Sequence, residues 1–327
     1  MCMKLPNIFK KKEKLIDNKF KDGVMGHAVG DAFGVPVEFK SRAYLMENPV
    51  TTMKSNGTHN QESGTWSDDT SMEIATISSF IEKGYFDYDD IMNNFCKWIN
   101  DNEFTARGSV FDVGRTCLEA INKYSKGDIP AIECGSKLIN ANGNGSLMRM
   151  FPVAYYAYYK KLDKRDIYEL VKNMSSLTHG HEISILGCYI YVLYTIELLL
   201  GIDKYEAYDD IKKEDYSFFE NESLKAYERI LNDDISMLTV DDIKSSGYIV
   251  DTLEATLWVT LKSKNYVESI IGSANLGEDT DTIAAITGSM TGVIYGYKDI
   301  PEDWLSKIAR RDYLEKLCDD FMKKINE

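Results

Sequence analysis

An all-α fold is expected for this chain on three observations. Apolar residues recur at helical spacing along most of its 327 residues, runs of alternating β-branched residues are nearly absent, and only six prolines punctuate it. In chain order, the first helix is expected over residues 19–33, where Gly26, Gly30 and Gly34 recur every four positions and share a face open to close packing. A second helix, over 69–83, begins at the polar stretch 67–70 and is closed by Gly84. Helices over 88–102 and 111–126 follow, the latter ended by Gly127. The turn Gly143-Asn144-Gly145-Ser146 opens a helix over 146–160, and another is expected over 165–175. The apolar stretch 183–201 is interrupted by Ser184, Gly187, Thr195 and Glu197, so 182–200 reads as a buried helix and not a membrane span. Helices over 248–262, 265–276, 281–295 (ended by Gly296) and 311–326 complete the series.

These elements are expected to form a single compact multi-helix domain over residues 17–327. Residues 1–16 read as a short basic tail; its lysines are followed by no apolar core, so it does not resemble a secretory signal. Residues 203–244 are rich in Asp, Glu, Lys and Tyr without a strong apolar stripe, and are expected to be an exposed acidic excursion of that domain.

Composition narrows the function classes. A formal net charge of −14 argues against nucleic-acid binding, which needs a basic surface. It leaves room for a small anionic ligand held by metals or helix N-termini. The six cysteines follow no metal-ligand spacing and read as reduced thiols of a cytoplasmic protein. No membrane partner is expected.

The chemistry concentrates in two clusters. The first reads Ser67-Asp68-Asp69-Thr70, the second Asp279-Thr280-Asp281-Thr282, and each stands where a polar loop meets a helix. Ser, Thr and Asp are favoured N-caps, and carboxylates suit the positive end of a helix, so either cluster alone is more often a cap than a metal site. One cap per helix does not explain such density. Carboxylates and hydroxyls are hard donors suited to Mg²⁺, Mn²⁺ or Ca²⁺, and adjacent carboxylates gain from a dication between them. Taken together, the clusters leave capping and metal binding evenly balanced.

Other motifs are weaker on their own residues. Glu38, just past the first helix, reads as a surface carboxylate at a turn. Asp31 is assigned a structural role, hydrogen-bonding neighbouring elements. The 143–146 turn can present backbone N–H groups to a pyrophosphate or simply use glycine for positive φ. His179 and His181 flank Gly180 but have no third nitrogen or sulfur ligand nearby in the sequence. Asp112 reads equally as an acidic residue at a helix start.

In this order the motifs resemble the ADP-ribosylglycohydrolase family. The resemblance runs from Gly26-His27-Ala28-Val29-Gly30-Asp31 and Pro36-Val37-Glu38 through Trp66-Ser67-Asp68-Asp69-Thr70 and Phe111-Asp112-Val113-Gly114. It continues through Gly143-Asn144-Gly145-Ser146 and Leu177-Thr178-His179 to the segment 274–288. It implies an all-α fold holding two Mg²⁺ or Mn²⁺ ions, with ligands Ser67, Asp68, Asp69, Asp279, Asp281 and Thr282. Many members carry Thr where this chain has Ser67, and both supply a hydroxyl. The resemblance also places Glu38 on a mobile loop near the metals, makes Glu38 or Asp69 the base for an attacking water, and assigns substrate contacts to Asp112, Gly143, Asn144, Gly145, Ser146 and His179. The implied reaction is hydrolysis of the bond between ADP-ribose and a protein side chain, arginine foremost. An ADP-ribosylated protein is then the substrate and ADP-ribose the product. A non-catalytic ADP-ribose binder and a hydrolase of a small ADP-ribosylated metabolite are the alternatives.

Overall fold

The computed structural model describes residues 8–327. Residues 1–7 of the expected tail lie outside the described residues, and α1 (Ile8–Gly34) runs through the rest of it. There follow α2 (Arg42–Glu47), α3 (Asp68–Lys83), α4 (Tyr88–Asp101), α5 (Arg115–Ser125), α6 (Phe151–Lys160), α7 (Lys164–Ser176) and α8 (Glu182–Leu200). The second half contributes α9 (Lys204–Lys212), α10 (Asn221–Ala226), α11 (Glu228–Asn232), α12 (Ile249–Lys262), α13 (Tyr266–Ala274), α14 (Thr280–Tyr295), α15 (Glu302–Leu305) and α16 (Arg311–Ile325). No strand occurs among the described residues; extended pairing is limited to isolated bridges such as Gly143 with Tyr248.

Caps and breakers explain most boundaries. Gly84 ends α3 in the left-handed region (φ 81°), and its N–H reaches Phe80 O. His181 opens α8, its ring accepting from the Ile183 N–H. Two expected helices are shortened for local reasons. The one expected from 111 begins at Arg115, because Asp112 takes φ 49°. The one expected over 146–160 divides into a 3₁₀ turn, Leu147–Arg149, and α6, whose start accommodates Pro152 where its missing N–H costs nothing.

The axis of the molecule is the pair α1 and α14, packed along their lengths. A Cβ on Gly26 would stand 2.2 Å from Gly288 O, and one on Gly30 would stand 2.0 Å from Ala284 O. The helical glycine stripe therefore brings two backbones into direct contact. Around this axis lie α13, α12 and α8, while α16 and α3 close the other side. α8 has the length and composition to cross a membrane, yet its residues are mostly buried among α6, α7, α9 and α12. Each large apolar side chain sequestered there contributes about 1.5–3 kcal/mol.

The segment 203–244 differs from an open excursion. Tyr208, Tyr216, Phe219, Tyr227, Ile230 and Ile235 are buried, whereas Glu206, Asp209, Glu222, Asp233 and Asp241 remain exposed. Several short helices each insert one or two residues, so no single stripe forms along the sequence.

Candidate metal centre and adjoining cleft

α3 and α14 begin beside each other, because α1 contacts both. Their N-terminal N–H groups need acceptors, and at α3 these come mainly from outside the helix. Asp31 on α1 accepts from the Ser67 N–H at 2.9 Å, the Thr70 N–H at 3.1 Å and the Thr70 hydroxyl at 2.6 Å. Ser67 Oγ accepts the Asp69 N–H at 3.3 Å. With capping provided by Asp31 and Ser67, the carboxylates of Asp68 and Asp69 are not consumed by it. At α14, Asp279 occupies the cap position without a side-chain capping bond; it accepts instead from Asn144 Nδ2 at 2.6 Å.

The two starts converge. Asp69 Oδ2 accepts from the Ser67 hydroxyl at 3.0 Å and from the Thr282 hydroxyl at 3.3 Å. Carboxylate oxygens of Asp31, Asp69 and Asp281 lie within 4.8 Å of one another, as do those of Glu38, Asp279 and Asp281. Asp69 Oδ1 and Asp281 Oδ2 are buried without a hydrogen-bond partner. A buried oxygen left unsatisfied costs about 1–3 kcal/mol, more when charged. Such orphans within a ring of carboxylates are what a hard dication would satisfy, so the residues fit one.

The electrostatics agree. Burial first, and then mutual repulsion among Asp31, Asp68, Asp69, Asp112, Asp279, Asp281 and Glu38, holds Asp68, Asp69 and Asp281 well above the usual carboxylate range. Asp279 is also raised, chiefly by burial, with hydrogen bonds from Asn144 and Thr282 opposing. Glu38 is pushed up to about 8 by burial, with His59 opposing and Asp112 and Asp279 reinforcing.

Beside this well opens a cleft of about 420 Å³. Glu38, Asp68, Asp112, Gly143, Asn144, Gly145, His179, Asp279 and Thr282, all singled out from the sequence, line it. Ser67, Asp69 and Asp281 lie beneath and are buried. Ser146 is set back from the cleft: its hydroxyl accepts from Ser175 at 3.1 Å and faces Cys188 Sγ at 3.3 Å. The Asn144 N–H, one of those expected to face an anion, donates to Gly247 O at 3.1 Å. Buried Arg149 donates to Thr178 Oγ1 at 2.9 Å, and that oxygen is hydrogen-bonded to His179 Nδ1 at 2.9 Å. Burial, aided by Arg149, lowers His179 to about 3, so it is a neutral imidazole at ordinary pH.

Two residues were missed in the sequence. Asp31 does more than support the fold, since its carboxylate both caps α3 and joins the acidic well. His59, hydrogen-bonded to Glu38 Oε2, sits in a turn with no periodicity or spacing to mark it. The Glu38 loop, expected to be mobile, is tied on both sides. The Phe39 N–H reaches Glu278 O at 2.7 Å, and the Thr58 hydroxyl reaches Glu38 O at 2.6 Å.

Comparison with known proteins places the chain. A model of the family described as ADP-ribosylglycohydrolase matches residues 12–327. An ADP-ribosylarginine hydrolase of Pseudomonas putida is 30% identical over 313 residues, covering 95% of this chain and 80% of that protein. The ADP-ribosyl-[dinitrogen reductase] glycohydrolase of Rhodospirillum rubrum is 27% identical over 298 residues, covering 87% and 88%. A solved structure titled ADP-ribosylglycohydrolase-related protein complex superposes with a TM-score of 0.79 at 26% identity, covering 95% of this chain and 99% of that one. With the fold, the acidic well and the cleft in the same order as the motifs, the chain belongs to the ADP-ribosylglycohydrolase family.

Proposed function

We propose that this protein hydrolyses the bond joining ADP-ribose to an arginine side chain of a modified protein, using two divalent cations, Mg²⁺ or Mn²⁺. Ser67, Asp68, Asp69, Asp279, Asp281 and Thr282 would hold the ions. The observation that carries the reading is the pair of orphaned oxygens, Asp69 Oδ1 and Asp281 Oδ2, buried in the acidic cluster whose Glu38 and Asp279 line the cleft. When bound, such ions polarise oxygen ligands and lower the pKa of water. The arginine acceptor is supported by the relatives named as acting on ADP-ribosylarginine.

The chain's own residues divide the work. Asn144 holds Asp279 in place through its side-chain amide. Glu38, on the wall of the cleft, takes the proton of the attacking water. Asp69, its Oδ2 already engaged by two hydroxyls, serves as a ligand instead. Gly143, Gly145, His179 and Asp112 form the remaining contacts to the ADP-ribosyl group and its acceptor. The described cysteines are free, in keeping with a reducing compartment, and we place the reaction in the cytoplasm.

The test is release of ADP-ribose from arginine-modified protein, measured in chelator and after adding back Mg²⁺ or Mn²⁺. Metal-restored release supports the reading. Release confined to serine-modified protein or O-acetyl-ADP-ribose would move the substrate, and affinity for ADP-ribose without release from any substrate would make the protein a binder.

A further inference from the structure

We infer that His59 is a positioning residue for Glu38, holding one carboxylate oxygen so that the other is left to take the water proton; this rests on the hydrolytic reading above. Three independent contacts converge on the arrangement. His59 Nε2 is hydrogen-bonded to Glu38 Oε2, both side chains being largely buried, at 14% and 5% exposure. The imidazole sits by the rings of Phe111 and Phe39, with centroids 5.3 and 5.9 Å away, which restricts its rotation. The turn carrying it is pressed onto the Glu38 loop: the Thr58 N–H reaches Pro36 O at 3.0 Å, and the Thr58 hydroxyl reaches Glu38 O at 2.6 Å. Gly57 permits this approach, since at φ 68° a Cβ there would stand 1.9 Å from Pro36 O.

Position matters more than presence for a carboxylate in this setting. Glu38 lines the cleft together with Asp112 and Asp279, and its carboxylate lies within 4.8 Å of those of Asp279 and Asp281. A carboxylate free to rotate about its side-chain bonds would present its oxygens to the cleft in several rotamers. His59 is the side-chain contact that fixes one of those oxygens, and it also lies near Asp112: Glu38, His59 and Asp112 offer ligand atoms within 4.8 Å of one another. Since misplacing a catalytic group by about 1 Å costs about 10²-fold in rate, loss of the imidazole falls on turnover and not on affinity.

The experiment compares wild type, His59→Ala and His59→Gln on ADP-ribosyl-arginine, with ADP-ribose affinity and melting temperature measured alongside. Expected is a kcat lowered about 10–100-fold in His59→Ala, KM within about twofold, unchanged ADP-ribose affinity, and substantial recovery in His59→Gln, whose amide nitrogen stands in for Nε2. A kcat within twofold of wild type, an affinity loss equal to the loss of rate, or a Gln variant no better than Ala would overturn the assignment. Inactive wild type would fail the hydrolytic reading instead; the pairing is then read from the His59 ring NMR signals, which Glu38→Gln shifts if the two side chains are coupled and leaves in place if they are not.

Discussion

The Thr282 hydroxyl donates to Asp69 Oδ2 across 3.3 Å, although 213 positions of chain separate the two residues. One carboxylate is thus shared by the first turns of α3 and α14, and its second oxygen has no partner. Asp281→Asn would remove one charge from this well while keeping its shape. Expected is loss of activity and of cation affinity beyond the about 10–100-fold that outer partners of a metal site typically cost. Its cation-free form should melt higher than wild type, because a buried repulsion is relieved. Calorimetry with Mn²⁺ and melting in chelator check both; a variant retaining wild-type affinity would remove Asp281 from the ligand set.

The backbone seam predicts a graded response to single methyl groups. Gly30→Ala would drive a Cβ against Ala284 O, and Gly34→Ala would drive one to within 2.4 Å of Thr280 O and 2.5 Å of Asp281 Cα. Neither neighbour is a side chain that can swing away, so each change should destabilise by about 1–3 kcal/mol or more. Only Gly34→Ala displaces a proposed ligand, Asp281, directly. Denaturant melts should show comparable losses, with cation affinity falling further in Gly34→Ala.

Neutral His179 should act by hydrogen bonding and not by charge. Its folded pKa of about 3 lies below the ordinary 6.5, so at this residue the unfolded chain binds more protons between those values, and its own contribution to stability rises with pH across that window. His179→Gln, which keeps a polar terminus, should retain more ADP-ribose affinity than His179→Ala. Thr178→Val should destabilise the fold by about 1–3 kcal/mol and also weaken ADP-ribose binding with no mutation in the cleft itself, since it leaves Arg149 and His179 without a shared partner.

Raised carboxylates contribute the opposite slope in the cation-free protein, Asp22 within the same window and Glu38 extending beyond it to about pH 8. Asp22, pushed from 3.8 to about 6 by burial, and Glu38, from 4.5 to about 8, bind more protons folded than unfolded within those intervals. The stability they provide is complete below the unfolded values and is lost as pH rises through the folded ones. In chelator, the melting temperature should fall between pH 6 and 8, less steeply in Glu38→Gln. Added cation should reverse the fall, most strongly at the alkaline end, because its ligands must be ionised to bind.

Long, strongly periodic helices were legible in the sequence: α8 spans the expected residues, and α3 and α14 each begin one residue earlier. Boundaries failed where a single residue overrides periodicity, as at Asp112 with positive φ and at Pro152. The two acidic clusters were visible because hard donors crowd one turn of chain. Asp31 was expected to hydrogen-bond neighbouring elements, and it does at the start of α3, but its place beside Asp69 and Asp281 left no trace in local spacing. His59 was hidden for the same reason: its significance lies in a meeting with Glu38 across a turn whose sequence encodes only its shape.

The contact between Gly26 and Gly288 also governs when the protein can work during synthesis. α1 finds its main partner, α14, across most of the intervening helices, a non-local pairing of the kind that slows folding. Until α14 emerges, the carboxylates of α3 have no opposite half and remain in water, where they neither repel expensively nor grip an ion. A chain that has not yet made α14 is therefore expected to lack the assembled acidic well, and α16, which packs on both α1 and α3, completes its surroundings afterwards.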